Sequence, residues 1–486
     1  MPPLIASERA LPGATATVST LSRVRKWTVG VVDAVILVYG MSLAVLMLTG
    51  GLDAGWLHIQ HAAKPILILL LFVPVRIALG DQSWLLRPLR AMRDAARPVL
   101  TASVARLPPA VRDALFACAA TVPAMCGVSF LVNVLFASGR PRPFTLPFAY
   151  AKFAETFAAW DSGWYFDIAK QGYFFLPDQQ SSVPFFPLYP LAMRTLASVF
   201  GGSDQAIWIS GIVISCVSFI AGLVVLHTLT ERICGDREVA RRTVLFLAVY
   251  PFSFFLTRVY PGGLFFLLTV LAISAAFSSR WRQAGLWGAL ATLTRPHGIL
   301  IALPLIVLAI RGGTVRQIAM RIVALAPIPA ALAGFSLYVA HLTGDPLAWL
   351  HAERAWGYSL WQPPWQQLLV LFGDIGQRGL YLYFFSSPLA PFRLFHGAIA
   401  LALLMLVPTI FRRLGVALGA YVLVNLLVPL SSNALEGIGR YAAAWFPIFM
   451  VMGMVGSPRI REAILVTSSL LLALFVGLFV TWQPIY

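Results

Sequence analysis

The chain is 486 residues long, 59% hydrophobic and only 11% charged, with a mean hydropathy of +0.81. No soluble core could hide that much apolar surface, so a soluble globular enzyme is excluded and an all-α polytopic membrane protein is indicated. A formal charge of +17 would suit nucleic acid, but a basic excess in a membrane protein usually records topology instead.

Met1 to Lys26 is polar and carries Arg9, Arg23, Arg25 and Lys26. It reads as a cytoplasmic tail before a signal anchor. Two spans are expected at Trp27–Gly50 and Ala62–Leu79, each near the roughly 20 residues a bilayer requires. A loop with seven arginines follows, from Arg76 to Arg112. Residues 1–113 thus form a first region of tail, two spans and basic cytoplasmic loop, and 114–486 form a second region that carries the chemistry.

In the second region a span at Ala114–Ala137 leads outward. Further apolar runs follow, among them Ala206–Leu229, Thr243–Thr257, Gly262–Ser279, Ile322–His341, Pro391–Phe411, Tyr441–Val455 and Ala463–Thr481. The short runs Gln283–Thr294 and Gly298–Ile310, on either side of Arg295-Pro296-His297, are read as two crossings rather than one bent helix, giving about 13 in all. On this threading 24 of the 36 Lys and Arg fall on the cytoplasmic side. The positive-inside bias accounts for the charge, and no nucleic acid is expected. The outer face receives two long loops, 138–205 and 342–390, and short turns at Arg258-Val259-Tyr260-Pro261, Arg295-Pro296-His297 and Ser431–Arg440.

The acids collect in those outer loops rather than along the spans. A transporter or a flippase for lipids or oligosaccharides, the alternative reading, would line its spans with polar groups and tends to show matched halves, and no such repeat is present. The stretch Trp160 to Pro190 holds Asp161 and Asp167, which are six apart and on different faces of a helix over Ser162–Ala169. Asp161 also suits a helix N-cap, and Asp167 could pair with Lys170. Trp164 and Tyr165, with Phe166, Tyr173, Phe174 and Phe175, suit an interfacial belt or sugar-stacking platforms. His58, His61, His341 and His351 come with no acid-rich cluster, and the four cysteines suggest neither disulfides nor a thiolate metal site. No metal cofactor is expected, although Asp161 with Asp167 would be the pair to hold a divalent ion.

Trp160-Asp161, Gln171-Gly172-Tyr173 and Phe186-Pro187-Leu188-Tyr189-Pro190 together resemble the signature of the PIG-V family, the second mannosyltransferase of GPI-anchor synthesis and its bacterial relatives. Thr294-Arg295-Pro296-His297-Gly298, Thr343-Gly344-Asp345-Pro346, and Gly439-Arg440-Tyr441 followed by Phe446-Pro447 extend the resemblance over roughly Ala114 to Val455. The chain departs from the family at Tyr260-Pro261-Gly262-Gly263, where members carry an acid in a Tyr-x-Glu-like turn.

The resemblance implies a GT-C membrane glycosyltransferase with a large catalytic first outer loop. Such an enzyme passes a hexose, here mannose, from a polyprenyl-phosphate carrier to a hydroxyl on a glycan, lipid or protein. Independently, the chain has no Gly-rich phosphate loop and no soluble stretch long enough for a nucleotide-binding domain, which disfavours a nucleotide sugar. Inverting transfer needs one carboxylate to take the acceptor proton, for which Asp161 is the candidate, supported by Trp160 and Asp167. It also needs fixed guanidinium groups for the departing phosphate, for which Arg295, Arg440 and Arg258 are candidates. Trp164, Tyr165, Tyr189, His297 and Asp345 are the expected substrate contacts. Arginine far exceeding lysine, with much alanine, points to a GC-rich bacterium, hence to the inner membrane with the site facing outward.

Overall fold

A computed structural model describes residues 12–49, 52–53, 58–59, 62–79, 103–359 and 361–485. His61 and 80–102 of the basic loop lie outside the described residues, as does the beginning of the expected tail. The chain forms two compact units, Met1–Leu107 and Pro108–Tyr486.

The first unit is built on two helices, α1 (Pro12–Thr49) and α2 (Ala63–Leu79), with a two-residue antiparallel ladder between them that pairs Leu52 with Ile59 and Asp53 with His58. Helix α1 starts at Pro12, so much of the stretch expected as tail is helical. Asp33 is buried on α1 and accepts a hydrogen bond from Arg76 Nε of α2. A carboxylate in an apolar helix is tolerable only with such a partner.

The second unit opens with α3 (Pro109–Leu135) and an ordered segment, expected to face outward, that carries α4 (Ser162–Gln171) and α5 (Leu188–Val199). Its longest helix is α6 (Asp204–Cys234), whose 31 residues reach roughly 46 Å at 1.5 Å per residue. The Ser203 hydroxyl accepts from the Ala206 amide at its start, and Gly235 ends it in the left-handed region at φ 68°. After α7 (Arg237–Ala248) come α8 (Gly262–Phe277) and α9 (Trp281–Thr294). Helices α6 and α8 cross closely because small residues meet there. A Cβ on Gly263 would stand 2.7 Å from the Ser215 carbonyl oxygen, and one on Gly222 would strike the Phe266 ring.

After α9 the chain turns sharply at Arg295. A 3-10 segment, Pro296–Ile301, leads into α10 (Ala302–Ala309), and a Cβ on Gly298 would lie 2.4 Å from the Ala291 carbonyl oxygen. Seven residues of continuous helix would hold those two about 10 Å apart, so the runs on either side of Arg295 are two segments, not one bent helix. The rest of the bundle is α11 (Val315–Val323), α12 (Pro327–Thr343), α13 (Gln366–Arg378), α14 (Ala390–Leu414), α15 (Val416–Ser431), α16 (Pro447–Gly453) and α17 (Pro458–Val480).

Among the described residues six helical stretches are long and apolar enough to cross a membrane: Val24–Leu46, Pro109–Leu135, Asp204–Cys234, Val315–Thr343, Ala390–Leu414 and Pro458–Val480. Gly262–Phe277, Pro296–Ala309 and Val416–Ser431 are shorter apolar helices. Two of the expected crossings are not single helices. Thr243–Thr257 is the end of α7, a turn and a 3-10 segment, Ser253–Leu256, and Tyr441–Val455 is broken by a non-helical turn before Pro447.

The interior has two main parts. An aliphatic core runs through α6, α8, α14 and α15, with Phe219, Leu223, Phe266, Leu403 and Leu426 fully or nearly fully buried. Above it lies an aromatic core of Tyr165, Tyr189, Trp208, Phe252, Phe254, Phe255, Tyr260, Phe475 and Phe479. Rings offer few rotamers and large contact areas. The aromatic core therefore gives a stiff floor to whatever the outer segments build on it.

Candidate active site

That floor opens into a cavity of about 440 Å³ walled by Trp160, Asp161, Trp164, Tyr165 and Asp167 of the first outer segment and by Tyr260, Arg295 and His297. Glu353, Trp356 and Tyr358 of the loop after α12, with Arg440, Tyr441 and Trp482, complete it. Residues more than 300 positions apart therefore meet in one hollow.

Asp161 is held from its backbone. Tyr260 Oη donates to the Ala159 carbonyl (3.1 Å) and accepts from the Asp161 amide (3.0 Å), and the Ser162 hydroxyl donates to Ala159 as well (2.8 Å). Trp160, just before it, sits at φ +57°, a left-handed conformation that a bulky side chain adopts only when its surroundings compel it. The compulsion is visible: its indole N–H donates to the Phe479 carbonyl (3.3 Å), its ring lies 5.0 Å from that of Trp482, and the Arg140 guanidinium covers it at 5.5 Å.

With the backbone fixed, the Asp161 side chain is free of capping duty. It makes no hydrogen bond to the amides that open α4, so the N-cap expectation is corrected. It accepts instead from Arg440 Nη1 at 2.8 Å, with the carboxylate 32% and the guanidinium 14% exposed. Arg440 stands on the short helix Ile438–Ala442, which is pinned where Gly439 donates to His396 Nδ1 (3.2 Å) and accepts from Tyr250 Oη (3.0 Å). The guanidinium lies over the rings of Tyr441 (5.3 Å) and Phe255 (5.6 Å), and its buried Nε has no partner.

Arg295 reaches the same hollow from the end of α9, with its guanidinium 5.9 Å from the Phe265 ring and no hydrogen bond or ion pair to another described residue. Beside it the His297 ring packs 4.9 Å from Phe265 and 5.7 Å from Tyr441. Of the two guanidinium groups only Arg440 is paired with a carboxylate, so both keep donors for an anion in the cavity.

Trp164 stacks on Phe185 (5.5 Å) with Trp356 edge-on (5.6 Å), leaving a broad aromatic wall. Tyr165 is wedged among Phe185, Tyr189 and Tyr260, and burial pushes its hydroxyl well above the usual phenol range. Asp167 lines the cavity, and burial raises its carboxyl, with Lys170 pulling the other way. The expected Asp167–Lys170 pair does not form, because Lys170 Nζ binds Asp204 at 2.8 Å.

Three sequence candidates lie elsewhere. Arg258 is fully buried against α3, donating to Ser129 Oγ (3.0 Å) under the Phe157 ring, and does not line the cavity. Tyr189 spends its hydroxyl on the Gly211 carbonyl (2.9 Å) and Ser215 (2.8 Å) inside the aromatic core. Asp345 makes a local turn, accepting from the Leu347 amide (2.8 Å) and pairing with His351 (2.6 Å). Those two contacts hold its carboxyl below the usual range. Conversely, sequence reasoning passed over Glu353. Its signal was an acid inside the aromatic run His351-Ala-Glu-Arg-Ala-Trp356, the one acid between Asp345 and Asp374.

A second cavity, about 550 Å³ and mostly apolar, adjoins the first. Ile299, Leu300, Trp349, Leu350, Val424, Leu427 and Val428 line it, and Pro296, His297, Glu353, Tyr358 and Tyr441 belong to both. Among the described residues no three His, Cys, Asp or Glu side chains converge as metal ligands would.

Residues 129–320 match the profile of the family described as mannosyltransferase (PIG-V), which contains the motifs from Trp160-Asp161 to Thr294-Arg295-Pro296-His297. Over that stretch, less than half of the chain, the sequence is similar to this family. No curated protein matches it. Among solved structures, the oligosaccharyltransferase of Archaeoglobus fulgidus in its apo form aligns with a TM-score of 0.39 at 12% identity, covering 75% of this chain and 56% of that one. The same archaeal enzyme in complex with an inhibitory peptide and a dolichol-phosphate aligns with a TM-score of 0.38, also at 12% identity and over 75% and 56% of the two chains. This chain spans about half the length of those structures.

Proposed function

We propose that this protein is a GT-C type glycosyltransferase that passes mannose from a polyprenyl-phosphate carrier to an acceptor hydroxyl with inversion, on the outer face of a bacterial inner membrane. The observation that carries the reading is the Asp161–Arg440 pair on the wall of a half-open cavity that also holds the unpaired Arg295. A sugar placed against Trp164 shares the cavity with the Asp161 carboxylate, the Arg440 guanidinium bound to it, and the Arg295 guanidinium. The neighbouring apolar cavity is the natural place for a prenyl chain, with the phosphate at the junction.

Asp161 is held by Arg440 on the cavity wall with about a third of its surface open, in reach of an acceptor hydroxyl whose proton it can take. As the acceptor oxygen attacks the anomeric carbon, its proton passes to Asp161, the new carbon–oxygen bond forms, and the bond to the phosphate oxygen breaks. The leaving prenyl phosphate gains one negative charge. Arg295 and the free donors of Arg440 are already in place to stabilise it, with little reorganisation at the moment of reaction.

The direct test uses purified protein in lipid nanodiscs with polyprenyl phosphomannose, alone and with glycan, lipid and peptide acceptors. Transfer of mannose, or slow release of free mannose without acceptor, is expected. Inertness toward the phosphomannosyl lipid, with activity on GDP-mannose instead, would overturn the donor assignment.

A further inference from the structure

Glu353 occupies a position the mechanism above does not use. It is carried on the 3-10 segment Ala352–Trp356 of the loop after α12 and is one of five residues that line both cavities. Its side chain makes no hydrogen bond or ion pair to another described residue, unlike Asp161 and Asp345. On the reading that sugar and prenyl chain take one cavity each, the donor phosphate must pass this residue.

An ionised carboxylate there would be misplaced. The charged groups around the junction are Asp161 from the start of α4, Arg440 from its short helix and Arg295 from the turn after α9. The titratable groups facing it are Tyr358, Tyr441 and His297. With a bound phosphodiester, Asp161 and the phosphate balance the two arginines. During transfer Asp161 becomes neutral as the phosphate takes a second charge, and the balance is kept. An anionic Glu353 would leave one uncompensated negative charge throughout, in a site of reduced dielectric.

We propose that Glu353 meets the donor phosphate as a neutral carboxylic acid, donating its O–H to a phosphoryl oxygen at the junction of the two cavities. The hydrogen bond strengthens as charge builds on that oxygen, and no proton need leave Glu353. Independently, burial and the neighbouring Asp161 push this carboxyl up to about 7, with Arg440 pulling the other way. A phosphate arriving beside it moves it further in the same direction. The sign follows: donor binding takes up a proton, is strongest below pH 7 and weakens as pH rises.

The inference rests on the proposed donor, and the experiment separates the two. The full-length protein in nanodiscs is titrated with a C20 prenyl phosphomannose, whose phosphodiester does not titrate between pH 6 and 9. The wild type is expected to lose affinity above neutrality by up to about tenfold per pH unit, whereas Glu353→Gln, which keeps an N–H donor and the shape, should hold affinity within about twofold across the range. Calorimetry at pH 8 in two buffers of different ionisation enthalpy should register uptake of close to one proton by the wild type. A pH-independent wild type that takes up no proton, or a Glu353→Gln variant with the same slope, overturns the proposal and leaves the donor assignment standing. Absence of binding at every pH overturns both.

Discussion

Two buried acid–base clusters in the second unit invite comparison. At the foot of α3, Asp113 meets His227 of α6 at 3.1 Å and Arg237 of α7 at 3.7 Å, with both Asp113 and the histidine buried. At the outer cavity Asp161 meets Arg440 at 2.8 Å. The first carboxylate ties three helices together, and no described cavity touches it. The second ties only two outer segments, keeps about a third of its surface open, and faces arginines with donors to spare. An ion pair enclosed between helices is a structural tie, and one that opens onto a hollow is equipped to bind and react.

The sharpest way to break this contrast is Asp161→Asn. Shape and the Arg440 contact persist while the proton acceptor is gone, so turnover should fall roughly a hundredfold or more, with donor affinity nearly unchanged. Steady-state rates beside donor titrations check this; near-normal transfer would return Asp161 to a structural role. Next in size, Arg440→Ala should weaken binding of a polyprenyl phosphate by about ten- to a hundredfold, from the roughly 1.5–3 kcal/mol of a charge-assisted hydrogen bond, and Arg440→Lys should restore part of it. Equal affinity in all three proteins would dismiss the phosphate assignment.

Asp113→Asn sharpens the other side. It should lower unfolding stability by about 1–3 kcal/mol, read from thermal or denaturant melts in detergent, with turnover per folded molecule unaltered. The smallest effect belongs to Asp345→Asn. Its turn contacts are exposed, so transfer should be unchanged within about twofold. Because its carboxyl is depressed, its ionised form and the turn contacts it accepts persist to lower pH than for an ordinary carboxylate and weaken as pH falls through that lowered value. Orientation is checked separately: Gln179→Cys and Gln377→Cys, both exposed on outer segments, should react with an impermeant maleimide in intact cells, and protection of both would reverse the topology. Ser181 is unsuitable for this purpose, being buried with its hydroxyl bound to Leu176.

Helix segregation was legible because it rests on long apolar runs, and the motif of adjacent residues around Asp161 singled out a segment that lines the cavity. Arg295, His297 and Arg440 were legible for the same reason: each sits in a short motif at a helix end, where the chain must turn. Arg258 also lies beside such a turn, yet its side chain points into α3. The sequence does not reveal which way an arginine faces in the irregular turn after a 3-10 segment, where no helical or strand period fixes its direction. Asp345 was drawn in by a Thr-Gly-Asp-Pro pattern whose physical content is a local turn. Glu353 was missed because its proximity to Asp161 depends on two loops some 190 residues apart folding onto one floor, and no local spacing encodes that.

The floor itself has a consequence for how the protein comes into being. Trp160 donates to the carbonyl of Phe479, Gly139 donates to that of Thr481, and Trp482 forms part of the cavity wall. The segment that carries Asp161 is therefore anchored on the end of α17 and the turn after it, more than 300 positions further along the chain. Until α17 has been synthesised and inserted, Trp160 lacks the Phe479 carbonyl and the Trp482 ring, and only the Tyr260 and Ser162 contacts remain to fix the backbone at Asp161. The cavity wall is therefore complete only once α17 has packed against the segment that precedes α4.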